Sequence, residues 1–326
     1  MNRFLGKVNR RLKMTIKQFR CDSHFSVYYA CLRVFHELGG RLHFRRLSAW
    51  AFGEKNRWIS AYLEQRLRPV LERYNGDNEQ GEYLPNAPVW VCWWSGEDTA
   101  PALVRQCIQS IRRYAGTHPV NLITKDNYKD YLEIPLYMLA KVQGGQLGLA
   151  HLADYIRVRL LAEHGGLWLD ATIFCSAQLP AWYFQLPVFT CKSELREGKY
   201  ISAYRWVTFC LGGWKGNVFY RFLKDALEEY WRVESHAIDY LFFDYVIYLA
   251  YEHIDAIHQL LDQIPINNIH RDDLQAAMNA VLPAEDFFRV IQPDTTLYKL
   301  SWREAYSMQT QDGKESIYAE FLKAEI

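Results

Sequence analysis

The sequence predicts an α/β fold with a mostly parallel sheet flanked by helices and preceded by a helical extension. Three observations predict it. Short β-type runs alternate with segments of helical spacing after residue 88. Half of the 326 residues are apolar and 15% are aromatic, which is enough for a buried core. The first 75 residues have helical spacing only.

The amino-terminal part, residues 1–80, is predicted to be a basic helical region. Apolar residues recur at spacings of three and four from Phe4 to Ile16, and Tyr28–Leu38 and Trp58–Tyr74 are similar. Residues 1–75 contain 16 Lys and Arg against 5 Asp and Glu. This charge predicts contact with an anionic membrane surface, although a solvated helical cap would have the same pattern. No recognition motif accompanies the charge, so nucleic acid is not expected.

The polar segment Asn75–Pro88 is predicted to be a linker to a second domain, residues 85–326. The predicted elements of this domain follow in chain order: strand Val89–Trp94, helix Ala102–Tyr114, strand Val120–Thr124, helix Gln146–His164, strands Leu167–Cys175, Pro187–Lys192 and Tyr204–Leu211, and helices Val218–Val233 and Ile238–His253.

Cellular location is predicted from three features. No apolar run reaches 18 residues, and the amino terminus lacks the apolar stretch and cleavage site of a secretion signal. The seven cysteines form no CxxC pair and are expected to be buried free thiols of a reducing compartment. We therefore expect a cytoplasmic protein that is peripheral on the inner face of the bacterial cytoplasmic membrane.

The most informative stretch is LADYIRVRLLAEHGGLWLDAT, residues 152–172. Asp154 and Arg157 are three residues apart and share a helix face. Gly165-Gly166 permits a helix end with positive φ and a close backbone approach. Asp170 follows a short strand, and ligands of open α/β sheets bind beyond the carboxyl ends of the strands.

This arrangement suits a sugar nucleotide, whose diphosphate develops negative charge as it leaves. Mg²⁺ or Mn²⁺ held by one or two carboxylates and the phosphate oxygens would stabilise that charge. Asp170 is the obvious ligand, although a lone Asp after a buried strand is more often a turn residue.

The string A-D-x-x-R followed by G-G-x-W-x-D-A-T resembles the capsular polysaccharide synthesis glycosyltransferases, relatives of the glycosyltransferases with a DxD sugar-binding region. The resemblance covers roughly Val89 to Trp302. It implies a GT-A-like, Rossmann-type fold, Mn²⁺ or Mg²⁺, and transfer with retention of a hexosyl or N-acetylhexosaminyl unit from a nucleotide diphosphate sugar. The donor would be UDP-linked and the acceptor a lipid-linked oligosaccharide of capsule, O-antigen or related polysaccharide synthesis.

The resemblance also implies roles for residues of the motif. Asp154, Arg157 and Asp170 would be catalytic and would contact the donor. Asp170 and Thr172 would hold the metal, although Thr172 stands where a strict DxD has its second acid and offers a hydroxyl without charge.

More distant segments complete the resemblance. Trp94 and Gly96 match a W-x-G in which a ring stacks on the donor base, and Ser301 and Trp302 match an S-W element that covers the diphosphate. The acceptor pocket would involve Trp214, Asn217, Asp239 and Asp244, and the last two are possible bases or ordinary surface acids.

Two other functions remain open from the sequence. The missing second acid would also fit a non-catalytic sugar-binding or scaffold protein of a polysaccharide assembly complex. A sugar nucleotidyltransferase would need metal and carboxylates too, but the early glycine-rich nucleotide loop is missing from the sequence.

Overall fold

The fold is described from a computed structural model that covers residues 15–16, 18–279, 290–309 and 313–323. Its main sheet has five strands in the order β2-β1-β3-β6-β5. They are β1 (Val89–Cys92), β2 (Val120–Ile123), β3 (Gly166–Leu169), β5 (Val188–Thr190) and β6 (Cys210–Gly213). β1 pairs in parallel with β2 and β3, and only β6 is reversed, so four strands run in one direction.

A small second sheet pairs β4 (Ile173–Cys175) antiparallel with β7 (Leu297–Lys299). The predicted strand Leu167–Cys175 is therefore two strands in two sheets. The chain turns at Asp170–Thr172, where the amide of Ile173 donates to the carbonyl of Asp170 at 2.8 Å.

Helices cover both faces of the main sheet. In chain order they are α1 (Val27–Arg41), α2 (Arg45–Tyr74), α3 (Ala102–Tyr114), α4 (Leu136–Gln143), α5 (Leu149–His164), α6 (Trp182–Gln185), α7 (Val218–Val233), α8 (Phe242–His253), α9 (Asp255–Asp262), α10 (Asp273–Asn279) and α11 (Ile317–Lys323). The mixed α/β architecture with an amino-terminal helical region confirms the predicted fold class.

The predicted elements are found with small shifts. α3 and α7 have the predicted bounds, α8 begins at Phe242 instead of Ile238, and β6 begins later than the predicted strand Tyr204–Leu211. Residues 1–14 lie outside the described residues, and with them most of the predicted first helix. In the described part of the chain, every helix is too short or too polar to cross a bilayer.

The glycine pair Gly165-Gly166 has the positive φ angles and the close backbone approach that the sequence predicts. Gly165 ends α5 with a φ of 66°, and Gly166 opens β3 with a φ of 101°. A Cβ on Gly166 would lie 2.1 Å from the carbonyl oxygen of Pro88, so a side chain is excluded there. This close approach lets β3 follow α5 directly.

The amino-terminal helices share a core with the rest of the chain. Ile59, Leu63 and Leu67 of α2 are fully buried in the same hydrophobic cluster as Tyr155 of α5 and Trp231 of α7. The sequence boundary near residue 80 therefore separates two segments whose side chains pack together. All seven cysteines are free; Cys107, Cys175, Cys191 and Cys210 are buried, and the other three are partly so.

Candidate active site

Asp170 lies at the carboxyl end of β3, in the turn that joins the two sheets. Its amide donates to the carbonyl of Phe209 at 2.9 Å, which fixes the backbone beside β6. The parallel neighbour β1 ends at the same edge, at Cys92, and Trp93-Trp94 follow it. The carboxylate therefore stands at the edge of the sheet where ligands of such sheets bind.

Arg157 joins the two predicted carboxylates. One guanidinium nitrogen donates to Asp154 Oδ1 at 2.7 Å and the other to Asp170 Oδ1 at 3.0 Å. The guanidinium is 4.9 Å from the centroid of the Trp168 ring and 5.5 Å from that of Phe243. Since its side chain is only 5% exposed, Arg157 holds both acids in a fixed geometry.

Lys299 binds the other side of Asp170. Its Nζ donates to Asp170 Oδ2 at 2.9 Å and to Thr172 Oγ1 at 2.7 Å. The sequence predicts no role for Lys299, although it begins the segment Lys299–Trp302 that resembles the S-W element. The pairing of β4 with β7 brings it across 127 residues of sequence to Thr172.

Opposing effects set the pKa of Asp170. Burial raises it, but the cations Lys299 and Arg157 and the hydrogen bond from the Trp168 indole together lower it to about 2. Asp170 is therefore an anion at neutral pH, balanced by two cations.

These groups line one cavity of about 400 Å³. Seven of the predicted residues border it: Asp154, Arg157, Asp170, Thr172, Asp244, Ser301 and Trp302. The cavity also receives His151, whose Nδ1 is 3.4 Å from Asp154 Oδ2, and the exposed ring of Tyr240. The volume suits a small ligand.

Of the two tryptophans that follow β1, Trp93 lines the cavity, whereas the predicted Trp94 does not. Trp93 meets Trp302 edge-to-face with ring centroids 5.8 Å apart, and its buried Nε1 has no partner among the described residues. The Trp94 ring packs instead near Tyr128, and Gly96 begins a 3-10 turn with a φ of 90°. The sequence placed an aromatic at the end of β1 but did not reveal which of the two rings faces the cavity.

The residues predicted for the acceptor lie in three places. Asp244 lines the cavity and accepts from Trp206 Nε1 at 3.1 Å. Burial raises its pKa to about 7, although the Trp206 bond and Arg157 oppose that change. Trp214 lies outside the cavity lining and donates to the carbonyl of Phe184, while Asn217 caps α7 and is fully buried.

Asp239 also lies outside the cavity lining. Its Oδ2 accepts from Lys55 Nζ at 3.1 Å and lies 3.9 Å from Arg33, and its side chain is 8% exposed. It therefore joins α1 and α2 to the segment before α8.

The family model described as "Capsular polysaccharide synthesis protein" matches residues 42–321. The chain belongs to the capsular polysaccharide synthesis family. The match includes all of α2, so the family pattern extends into the amino-terminal helices.

The chain is similar to a solved structure titled "PaToxG Glycosyltransferase", with 14% identity, a TM-score of 0.37, and coverage of 64% of this chain and 78% of that one. Among curated protein sequences none matches.

A divalent metal was predicted at Asp170 and Thr172 of this family member, and the residues as arranged do not fit one. Lys299 Nζ already lies between the two expected ligand oxygens, at hydrogen-bonding distance from both.

Proposed function

We propose that this capsular polysaccharide synthesis protein is a glycosyltransferase that uses a nucleoside diphosphate sugar. The donor would be a UDP-linked hexose or N-acetylhexosamine, and the acceptor a lipid-linked oligosaccharide. The supporting observation is the cluster of Asp154, Arg157, Asp170 and Lys299 in one cavity at the carboxyl end of β3. Fixed carboxylates can accept hydrogen bonds from sugar hydroxyls, and fixed cations can stabilise a leaving diphosphate.

In the proposed reaction, the acceptor hydroxyl oxygen bonds to the anomeric carbon while the bond from that carbon to the phosphate oxygen breaks. The electron pair of the broken bond stays on the phosphate, and the transition state resembles an oxocarbenium ion. With retention, as predicted, the hydroxyl proton leaves on the released diphosphate.

Asp244 favours a second stereochemical course. A carboxyl group with a pKa of about 7 in the cavity is suited to accept a proton near neutral pH, as the base of an inverting transfer does. The anomeric configuration of the product, read by NMR from a matched donor, distinguishes the two courses.

The central test is a panel of nucleotide sugars assayed for nucleoside diphosphate release, with and without lipid-linked acceptor. We expect one donor to be turned over, and faster with acceptor. Asp126→Asn, at an exposed carboxylate paired with its neighbour Lys125, is a matched control for later active-site variants. Binding of a nucleotide sugar without turnover would favour the non-catalytic sugar-binding or scaffold protein instead.

We also propose that the hairpin between α1 and α2 docks on an anionic membrane. Residues 40–50 contain no acid, and Arg41, Arg45 and Arg46 are exposed there. The apolar side chains among them are exposed too: Leu42 59%, Phe44 59%, Leu47 38% and Trp50 49%. Exposed rings interleaved with cations are typical of surfaces that bind the headgroup region of anionic bilayers.

This hairpin is connected to the cavity wall. Lys55 of α2 and Arg33 of α1 contact Asp239, and the next residue, Tyr240, lines the cavity. Docking through the hairpin would therefore place that wall close to a lipid-linked acceptor.

Vesicle co-sedimentation tests the docking surface. Since each surface cation contributes about 1 kcal/mol, Arg45→Gln with Arg46→Gln should weaken partition onto phosphatidylglycerol vesicles by roughly 30-fold. Arg57→Gln with Arg68→Gln, at exposed positions of α2 outside residues 40–50, is the matched control. If Arg45→Gln with Arg46→Gln binds vesicles normally and deletion of residues 1–20 abolishes binding, the docking surface lies in residues 1–20 instead.

A further inference from the structure

Lys299 occupies the position at which a bridging cation was predicted. Its ammonium donates to Asp170 Oδ2 at 2.9 Å and to Thr172 Oγ1 at 2.7 Å, and these are the two residues expected to ligate Mn²⁺ or Mg²⁺. The side chain is 26% exposed and borders the cavity, so a ligand there can reach it.

The backbone around Lys299 fixes this position. Lys299 is the register partner of Ile173, the residue directly after Thr172, and the amide of Leu300 donates to the carbonyl of Thr172 at 2.9 Å. The amide of Lys299 donates to the carbonyl of Arg271 at 2.8 Å, and its ammonium lies 5.0 Å from the centroid of the Phe209 ring. The contact with Asp170 is therefore a consequence of strand pairing.

The local charges suit one monovalent cation better than a divalent one. Among the described residues Lys299 forms an ion pair with the single carboxylate of Asp170, and Thr172 contributes a neutral hydroxyl. Mg²⁺ requires near-octahedral oxygen ligands at about 2.0–2.1 Å. An ammonium group between the same two oxygens occupies that space and repels a divalent cation.

We propose that Lys299 replaces the divalent cation in this protein and binds the donor diphosphate directly. This inference rests on the proposed glycosyltransferase function. An ammonium has three N–H donors; two bind Asp170 and Thr172, which leaves the third for a phosphate oxygen. As the bond to the anomeric carbon breaks, Lys299 stabilises the electron pair that remains on the diphosphate.

Nucleotide binding tests the proposal without requiring turnover. Calorimetry on the full chain would measure binding of UDP, GDP and ADP in EDTA and in Mn²⁺. We expect the dissociation constant of the preferred nucleotide to differ less than about threefold between the two conditions. Lys299→Met should weaken binding about 10- to 100-fold in EDTA, as loss of a charged hydrogen bond does, and Lys299→Arg should weaken it less.

Lys129→Met, at an exposed lysine outside the cavity lining, is the matched control and should bind like the unsubstituted protein. Circular dichroism would establish that each variant is folded. Nucleotide binding that requires Mn²⁺ and survives Lys299→Met would overturn the proposal.

Turnover separates this inference from the function on which it rests. Nucleoside diphosphate release should continue in EDTA and fall about 10²- to 10³-fold in Lys299→Met. Release that stops in EDTA and returns with Mn²⁺ or Mg²⁺ would refute the role of Lys299 and leave the glycosyltransferase proposal intact. If nucleotide binds as expected but no donor is ever turned over, the catalytic function fails and Lys299 remains a nucleotide-binding residue.

Discussion

Two aspartates of this protein have nearly the same charged neighbours and very different surroundings. Asp170 is paired with Lys299 and Arg157, and Asp239 with Lys55 and Arg33. The Asp170 side chain is 29% exposed and opens to the cavity, whereas that of Asp239 is 8% exposed and enclosed between α1, α2 and the segment before α8.

Ion pairing alone therefore does not identify a functional acid. Cations oppose the effect of burial on both carboxylates and lower both pKa values. Solvent access distinguishes the two carboxylates. A ligand in the cavity can replace contacts of Asp170, whereas the contacts of Asp239 are enclosed within the protein. Both were candidate functional residues in the sequence, and each can be tested against the other.

The largest expected effect concerns stability at Asp239. Asp239→Asn leaves Lys55 buried beside an uncharged partner, so the free energy of unfolding should fall by about 3–5 kcal/mol. Adding Lys55→Met should restore part of that loss, because it removes the unpaired buried cation. Urea unfolding measures both. If Asp239→Asn were as stable as the unsubstituted protein, the Asp239 ion pairs would not stabilise the fold as proposed, and the contrast with Asp170 would be wrong.

Asp170→Asn should have the opposite profile. Nucleoside diphosphate release should fall about 10²- to 10³-fold, because the substitution removes the charge that holds Arg157 and Lys299 in place. The free energy of unfolding should change much less than in Asp239→Asn. Initial rates and urea unfolding on the same samples measure the contrast, with Asp126→Asn as control. Full activity in Asp170→Asn would make the site assignment wrong.

The two tryptophans that follow β1 allow a similar comparison between a residue that lines the cavity and one that does not, with a smaller expected effect. Trp93→Leu should weaken nucleotide binding by roughly 1–3 kcal/mol, the contribution of one base stacked on a ring. Trp94→Leu should affect nucleotide affinity less, because its ring packs near Tyr128 rather than lining the cavity. Calorimetry with the preferred nucleoside diphosphate compares them, and the reverse ranking would favour Trp94 as the ring that stacks on the base.

The smallest expected effect is a pH-dependent change in stability from Asp244. Its folded pKa of about 7 is above the unfolded value of about 3.9, so its contribution to stability is present below pH 4 and is lost as pH rises through 7. Asp154, Arg157 and Asp239 are the charged groups that act on it. Asp244→Asn should therefore raise Tm by several degrees more at pH 8 than at pH 5, roughly in proportion to the stability lost between them.

Thermal unfolding across this pH range measures the Asp244 effect. A larger Tm difference at pH 5 than at pH 8 would contradict the raised pKa. Asp126→Asn is again the control, since that exposed carboxylate should leave the pH profile unchanged.

The sequence predicted much of the fold because local patterns fix local structure. The apolar spacing of α3 and α7 gave their bounds, and the glycine pair gave the turn from α5 into β3. The Asp154–Arg157 spacing on α5 and the position of Asp170 after β3 predicted one cluster, and the structure brings these three residues together. The start of β6 was misplaced, since the residues before it have a strand-like pattern but form turns.

The sequence by itself therefore determined the α/β class, the Asp154–Arg157–Asp170 cluster and the basic amino-terminal helices. The tertiary structure alone decided that Lys299 joins Asp170 and Thr172, that Trp93 rather than Trp94 lines the cavity, and that Asp239 is enclosed. The difference arises from the sequence distance between the residues that are in contact. Helix and strand periodicity act over a few residues, whereas the β4–β7 pairing and the contact of α2 with Asp239 join segments 127 and 184 residues apart.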